Sequence, residues 1–271
     1  MQNLNELEKS RGVVVFAFRS ETVDYVKIAD QTSRLIRKNL NLPITLITDP
    51  NTAVNFNYDK IIEIKNTGSN FRTTQDNQLV EWRNFGRYLA YQLSPYDETL
   101  LLDTDYAVLD SSLNKVWDCD FDYKIVQEST LPEAIFQRRM GYLSHNWLWA
   151  TVVFFRKTKK AKALFDLIGR VQRNYKYYKT LFNLNGNYRN DFAFAIADIV
   201  VNGYTVDLTN YLPDTMLSIQ KTIQSIEVKE SKLIFRHDNT AVVTPWQNIH
   251  IMDKNFLTTK QFERFVDSAT A

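Results

Sequence analysis

The sequence predicts an α/β protein of one domain, in which helices flank a mostly parallel sheet. The first sixty residues alternate strand, helix and strand, the order that produces parallel sheets with covering helices. A later apolar run, Thr99–Leu102, ends in two acids, Asp103 and Asp105. The length of 271 residues is enough for one large domain of this class. We expect residues 11–110 to form one half of that domain and residues 111–271 the other.

The first half begins with RGVVVFAF at Arg11–Phe18, an apolar run typical of a buried strand. Helix-start residues at 20–22 precede apolar residues with a helical period to about Leu40. Two more strands are predicted at 43–48 and 61–64. A polar loop over 66–77 and a helix over 78–93 follow, and this helix carries Trp82, Arg83 and Arg87.

The second half continues the alternation of strands and helices. The sequence predicts strands at 99–102, 124–127, 150–156 and 233–235, helices at 158–175 and 191–201, and an irregular stretch around Pro245.

The composition limits the class of protein. It is 44% hydrophobic and 24% charged, an ordinary globular balance. The single cysteine, Cys119, excludes an internal disulfide framework and a cysteine-based metal site. The first residues are polar, and no apolar run approaches the length that spans a membrane. We therefore expect a protein of a reducing cytoplasm with no membrane partner.

The Asp103-Thr104-Asp105 triplet is the strongest chemical signal. Carboxylates at the mouth of a buried strand cost free energy unless something pairs with them, and a divalent cation is a natural partner. Ligands of open parallel sheets bind beyond the carboxyl ends of the strands, where this pair lies. A metal held there could neutralise a departing diphosphate. The alternative is structural, since many such triplets cap helices or face solvent.

These segments resemble GT-A glycosyltransferases, and the glycogenin-like enzymes in particular. The resemblance is carried by the strand that ends in Thr48-Asp49, by WRNFGRY at 82–88 and by LLLDTDYAVLD at 100–110. It implies a nucleotide sugar, most often a uridine diphosphate sugar, held by Mn²⁺ or Mg²⁺ on Asp103 and Asp105. In the family, Asn-Ser-Gly stands on the acceptor side where this chain has Trp149-Ala-Thr.

The resemblance also implies roles for further residues. His250 is the expected third metal ligand, with His237 as the alternative, although Pro-Trp here precedes the histidine instead of following the lysine. Asp191 is the expected general base, or else a helix N-cap. The expected donor-binding residues are Phe18, Arg19, Asp49, Arg83, Arg87, Asp103 and Lys254; the two helix arginines could instead pair with surface acids.

Positive charge is concentrated in one segment of the second half of the chain. Between Arg138 and Arg189, twelve Lys and Arg residues and a single acid give a net charge of +11, which leaves −9 elsewhere. Interleaved bases and aromatic rings suit a nucleic acid. The residues expected to contact it are Arg170, Arg173, Tyr175, Lys176 and Lys179. The acceptor on this hypothesis is a hydroxymethylated base in double-stranded DNA, flipped from the stack, as in phage-encoded enzymes of the host cytoplasm.

Several alternatives stay open. The basic segment can be a solvated helix face, and the acceptor can be a protein, a glycan or a small molecule. A non-catalytic module that binds nucleotide sugars would show no metal dependence. A nucleotidyltransferase is disfavoured, because no glycine-rich phosphate loop follows the first strand. Whether the transferred sugar is a hexose or a pentose is open.

Overall fold

A six-stranded sheet organises the computed structural model, which describes residues 9–65, 70–73, 79–132, 134–136, 139–140 and 145–271. The strands are β1 (Arg11–Phe16), β2 (Ile44–Thr48), β3 (Lys60–Glu63), β4 (Asn70–Thr73), β5 (Leu79–Trp82), β6 (Glu98–Leu102), β7 (Tyr106–Ala107), β8 (Tyr123–Val126), β9 (Ser129–Leu131), β10 (Ala134–Phe136), β11 (Arg139–Met140), β12 (His145–Asn146), β13 (Trp149–Arg156), β14 (Met216–Ile219), β15 (Ser225–Lys229), β16 (Lys232–Arg236), β17 (Ala241–Pro245) and β18 (Ile249–Ile251). The helices are α1 (Tyr25–Leu40), α2 (Ala90–Leu93), α3 (Lys159–Arg173), α4 (Tyr175–Leu181), α5 (Asn190–Val201), α6 (Lys254–Leu257) and α7 (Lys260–Thr270).

The main sheet has the strand order β3-β2-β1-β6-β13-β8. Strands β3, β2, β1 and β6 run parallel, and β13 is antiparallel to both of its neighbours. The predicted mixed α/β class with a mostly parallel central sheet is therefore confirmed. A second sheet, β10-β9-β14-β18-β7, brings C-terminal strand β18 beside β7, which follows the Asp-Thr-Asp triplet.

Both faces of the inner strands of the main sheet are buried, which explains why these strands are continuous apolar runs. Alternate residues, such as Val14 and Leu101, face the core beneath α3 and α5. Their neighbours, such as Val15 and Leu102, face the opposite core with α1. A third core joins α7 to the C-terminal strands. No helix in these ranges is long and apolar enough to cross a membrane.

Capping defines the predicted helices. Asp24 accepts a hydrogen bond from the backbone N–H of Lys27 (2.9 Å) at the start of α1, and Asn41 ends it in a left-handed conformation. Thr158 caps α3 by accepting from the N–H of Ala161. Helix α5 is anchored to the main sheet by a buried group in which the hydroxyl of Tyr123 donates to Asp198 (2.8 Å).

Three sequence predictions are wrong in part. The predicted helix over 78–93 is instead strand β5, which pairs with β4, followed by a 3₁₀ helix at Asn84–Leu89 and the single turn α2; within the 3₁₀ helix, Gly86 has a non-helical backbone. The helix expected over 158–175 breaks at Asn174 into α3 and α4. The stretch around Pro245 contains β17 and leads into β18.

The predicted polar loop lies only partly inside the described ranges. Residues 70–73 form β4, which pairs with β5, whereas 66–69 and 74–77 fall outside the description.

Gly12 is required by the close approach of β1 to Tyr96. A methyl group at this position would lie 2.3 Å from the ring of Tyr96, whose hydroxyl is fixed by a 2.9 Å hydrogen bond with Thr45. We expect Gly12→Ala to lower the free energy of unfolding by about 1–3 kcal/mol, measured by urea denaturation. The matched control is Gly86→Ala, because its new methyl would meet Leu89 at 3.8 Å, an ordinary contact. Equal stability of the two variants would contradict this account.

Candidate active site

A cleft opens at the edge of the sheet where β1 and β6 end. Seven segments meet there: the end of β1, the start of α1, the start of the 3₁₀ helix, the triplet after β6, the start of β13, the start of α5, and β18 with the residues that follow it. Its lining includes Phe16, Phe18, Tyr25, Arg83, Asn84, Asp103, Asp105, Trp149, Arg189, Asp191, His250, Met252 and Lys254. Cleft and triplet thus lie at the carboxyl edge of the parallel strands, as the sequence predicts.

Asp103 is held by a buried arginine. The guanidinium of Arg87 donates to Asp103 Oδ1 at 2.6 Å, and the Arg87 side chain is 1% exposed whereas that of Asp103 is 27% exposed. Burial raises the pKa of Asp103, while Arg87 acts to lower it. Arg87 therefore orients the Asp103 carboxylate from the buried side, away from the cleft. The predicted direct contact of Arg87 with a diphosphate is not compatible with this burial.

Asp105 joins the segment after β6 to the C-terminal part of the chain. Its Oδ2 accepts from His250 Nε2 at 3.1 Å and from the ammonium of Lys254. Pairing of β18 with β7 places His250 opposite Tyr106, and the N–H of Ile251 donates to the Asp105 carbonyl at 2.9 Å. Burial alone would raise the pKa of Asp105, but Lys254 and His250 outweigh it and hold that pKa below its usual range.

The other ring nitrogen of His250 lies near two buried serine hydroxyls. Its Nδ1 lies 3.4 Å from the hydroxyl of Ser218, which lies 2.6 Å from that of Ser129. A hydroxyl can donate or accept, so Ser218 can serve either tautomer of the imidazole. With Nδ1–H donating to Ser218, Nε2 would be available to a metal once its hydrogen bond to Asp105 is broken, which is the arrangement of metal-ligating histidines.

The donor types fit Mn²⁺ or Mg²⁺, since Asp103, Asp105 and His250 offer two carboxylates and one imidazole. In the described ranges, no three Asp, Glu, His or Cys side chains are already gathered as a metal site. Lys254 instead binds Asp105, and Arg87 binds Asp103. Metal binding would therefore require Asp105 to exchange both the Lys254 ammonium and the His250 N–H for the ion.

Asp191 lies in the cleft with both oxygens engaged. Oδ1 accepts from the N–H of Ala150 at 3.0 Å, and Oδ2 accepts from Arg189 Nε and Nη2 at 3.2 and 3.0 Å. The carboxylate thereby ties α5 to β13 and orients a guanidinium that lies over the ring of Trp147. It does not cap α5, because no side chain caps that helix. Its role as a general base stays a prediction.

The remaining predicted site residues divide between the cleft and other places. Phe18, Arg83 and Lys254 line the cleft. Asp49 is buried and accepts from the backbone N–H of Arg19 at 2.8 Å, and the Arg19 side chain donates to the Pro50 carbonyl. Neither Arg19 nor Asp49 is among the residues that line the cleft; the pair stabilises the chain after β1 and β2, and its predicted donor contact stays a prediction.

His237, the alternative metal ligand, lies elsewhere. Its ring nitrogen Nδ1 is 2.6 Å from the Thr222 carbonyl, and the side chain borders a separate cavity of about 580 Å³. Since a carbonyl only accepts, Nδ1 carries the proton. The structure thus favours His250 over His237.

Sequence reasoning did not single out Arg189, Asn84 or Trp149 as cleft residues. Arg189 had a detectable signal, because it directly precedes the predicted α5 and Asp191. Asn84 lies in a segment whose structure was predicted wrongly. Trp149 is buried, with its ring 6.3 Å from that of His250, and no local motif marks such a contact.

No protein-family model and no curated protein sequence matches the chain. Solved structures are similar in fold. The apo form of glycosyltransferase GlyE from Streptococcus pneumoniae TIGR4 has a TM-score of 0.40 and 14% identity over 76% of this chain and 45% of that one. An active-site mutant of LgtC has a TM-score of 0.45 and 13% identity over 68% of this chain and 69% of that one.

A third structure, the bifunctional glycosyltransferase WbbM in its apo form, has a TM-score of 0.36 and 14% identity over 61% of this chain and 35% of that one. The chain spans less than half the length of GlyE and about a third of WbbM. With TM-scores below 0.5 and identities below 15%, function has to be argued from the chemistry of the cleft itself.

Removal of the Arg87 charge should expose the cost of burying Asp103. We expect Arg87→Met to lower the free energy of unfolding by about 3 kcal/mol, because it leaves a largely buried carboxylate without its cation. Urea denaturation measures this loss. The matched control is Arg170→Met, which removes an exposed cation and should cost less than about 0.5 kcal/mol. A cost for Arg87→Met no larger than that of the control would contradict the assignment.

Asp105 should make stability depend on pH in the acid range. Its folded-state pKa is lowered relative to an unfolded value of about 3.9, so its contribution is present above pH 4 and is lost as the pH falls further. We expect Asp105→Asn to cost about 3 kcal/mol at pH 7, and the difference from the unaltered protein to shrink at pH 3. Chemical denaturation at both pH values measures it. The exposed Asp118→Asn is the control, and an Asp105→Asn cost that does not change with pH would count against the ion pairs.

Proposed function

We propose that this protein is a metal-dependent glycosyltransferase that moves a sugar from a nucleoside diphosphate to an acceptor hydroxyl. One observation carries the proposal: the pairing of β18 with β7 places His250 and Lys254 on Asp105, 145 and 149 residues away, at the ligand edge of the sheet. Two carboxylates, an imidazole and an ammonium in one cleft provide a metal donor set beside a cation for phosphate.

The reaction would break the bond between the anomeric carbon of the sugar and the diphosphate oxygen. A bond from the acceptor oxygen to that carbon replaces it, the acceptor proton leaves, and the nucleoside diphosphate departs with the electron pair. The metal would supply Lewis-acid stabilisation of that leaving group. The three proposed ligands are Asp103, Asp105 and His250.

The chain's own cations would neutralise the rest of the diphosphate charge. Lys254 is the main candidate, because an ammonium released from Asp105 by the metal would lie beside the metal-bound phosphates. Arg83 lines the same cleft. Exclusion of water by the buried walls of the cleft would strengthen both interactions. Arg87 acts through Asp103 and is a positioning residue.

The donor base would lie against the aromatic wall. Phe16, Phe18 and Tyr25 line the cleft at the end of β1 and the start of α1, and rings of this kind stack on nucleobases. We propose a uridine diphosphate sugar as the donor, as the sequence resemblance implies. Asp191 is the proposed general base; it would act after the acceptor displaces one of its present hydrogen-bond donors.

For the acceptor, we propose a hydroxymethylated base in double-stranded DNA, reached in the host cytoplasm if the enzyme is phage-encoded. The supporting observation is a line of exposed cations on α3 and α4, near which Tyr175 packs on Phe192, the neighbour of the cleft residue Asp191. Proteins, glycans and small molecules are the competing acceptor classes.

A non-catalytic module that binds nucleotide sugars is the competing function, and it would bind a donor without turning it over.

Thermal unfolding with a panel of nucleotide sugars tests the donor and the metal together. We expect a uridine diphosphate sugar to raise the midpoint temperature only when Mn²⁺ or Mg²⁺ is present, and EDTA to abolish both this rise and the slow hydrolysis of the donor. Asp103→Asn should lose both effects, and Asp118→Asn should retain them. A donor that stabilises the protein equally with EDTA would refute metal dependence, and binding without hydrolysis would favour the non-catalytic module.

A further inference from the structure

The exposed face of α3 carries a stripe of cations. Its outward side chains recur at helical spacing. They are Lys159, Lys162, Asp166, Arg170 and Arg173. The one acid, Asp166, is paired with Lys162 at 2.6 Å. The stripe continues on α4, where Lys176 is exposed and Lys179 is partly exposed. We name the outward cations from Lys159 to Lys179 the basic stripe.

The cations at the α4 end have no anionic partner among the residues that the structure describes. Arg170, Arg173, Lys176 and Lys179 form no ion pair there, and the guanidinium of Arg173 lies over the ring of Tyr88, 5.8 Å from its centre. Like charges concentrated on one surface repel one another, and a bound polyanion relieves that repulsion.

The connectivity of the fold carries the basic stripe to the cleft. Strand β6 ends at the cleft, and β13 is antiparallel to it, so β13 ends at the opposite edge of the sheet. Helix α3 starts there and returns, and the chain then reaches Arg189 in the cleft. At α4, Tyr175 stacks on Phe192 at 6.4 Å, next to Asp191. Tyr175, at the start of α4, therefore lies near the proposed reaction site, and the cations without acidic partners precede and follow it in the chain.

The aromatic residue available to a ligand differs from the one the sequence predicts. Tyr175 is expected to contact the acceptor, but its ring packs on Phe192 and Tyr188, and desolvation raises its pKa to about 12. Tyr177 is 64% exposed instead and lies between Lys176 and Lys179. An open ring flanked by cations can stack on a base while the cations bind phosphates.

We propose that the basic stripe binds the phosphate backbone of a nucleic acid and directs it to the cleft. Between Lys159 and Arg173 the stripe is about 21 Å long and one helix wide. A line of cations matches a linear polyanion, whereas a lipid surface would favour cations spread around an apolar tip. The binding surface stands on these contacts alone; its role in presenting an acceptor rests on the proposed function.

Fluorescence anisotropy with a labelled 20-base-pair DNA duplex over a salt series tests the surface. We expect log Kd to rise linearly with log salt concentration, and the variant with Arg170→Gln, Arg173→Gln and Lys176→Gln to reduce that slope by about 2–3. Tyr177→Ser should weaken binding to single-stranded DNA at least fivefold. The control variant, Lys229→Gln with Lys232→Gln, alters two exposed lysines on the remote β15–β16 hairpin and should leave both measurements unchanged. Circular dichroism confirms the fold of each variant.

Three outcomes would overturn the proposal: no duplex binding at low salt, a slope that the triple variant does not change, or binding only to vesicles of phosphatidylcholine with 30% phosphatidylglycerol. Donor hydrolysis, measured separately, distinguishes the two proposals. DNA binding without metal-dependent donor hydrolysis would retain the surface and reject the enzyme. Metal-dependent donor hydrolysis without DNA binding would retain the enzyme and reject the binding surface.

Discussion

The contact of Asp105 with His250 and Lys254 is the interaction on which the cleft depends. It joins the triplet after β6 to the last fifth of the chain, and it forms because β18 adds to β7 in the second sheet. Burying Asp105 alone would be costly, so the fold has to bring cationic or hydrogen-bonding groups to it. That requirement closes one side of the cleft.

The charges of the cleft form matched pairs. Arg87 binds Asp103, Lys254 binds Asp105, and Arg189 binds Asp191. Each pair lowers the free-energy cost of burying a carboxylate, but the three cations differ in their access to the cleft. Arg87 is enclosed and can only orient its partner, whereas Lys254 and Arg189 line the cleft and can exchange partners with a ligand. A bound metal and diphosphate would thus enter a site whose charge is already compensated.

The two proposed binding regions make different physical demands. The cleft is lined by side chains that other residues hold in place, which would suit the small, highly charged donor. The basic stripe is exposed and extended along one helix, where flexible cations can follow a polymer without a fixed geometry. Helix α5 lies between them, because it carries Asp191 into the cleft and packs Phe192 against Tyr175.

By itself the sequence determined the strands of the main sheet and the presence of the acid pair. Strands that are buried on both faces are short continuous apolar runs, as at Val13–Phe16 and Leu100–Leu102, and such runs can be recognised in the sequence. It misjudged residues 78–93, because local periodicity carries no information about the pairing of β5 with β4. Tertiary structure decided which carboxylate met which cation: whether Arg87 faced a ligand or Asp103, and whether His250 or His237 reached the triplet. These contacts join residues up to 149 positions apart, and they depend on strand pairing and burial that no local pattern specifies.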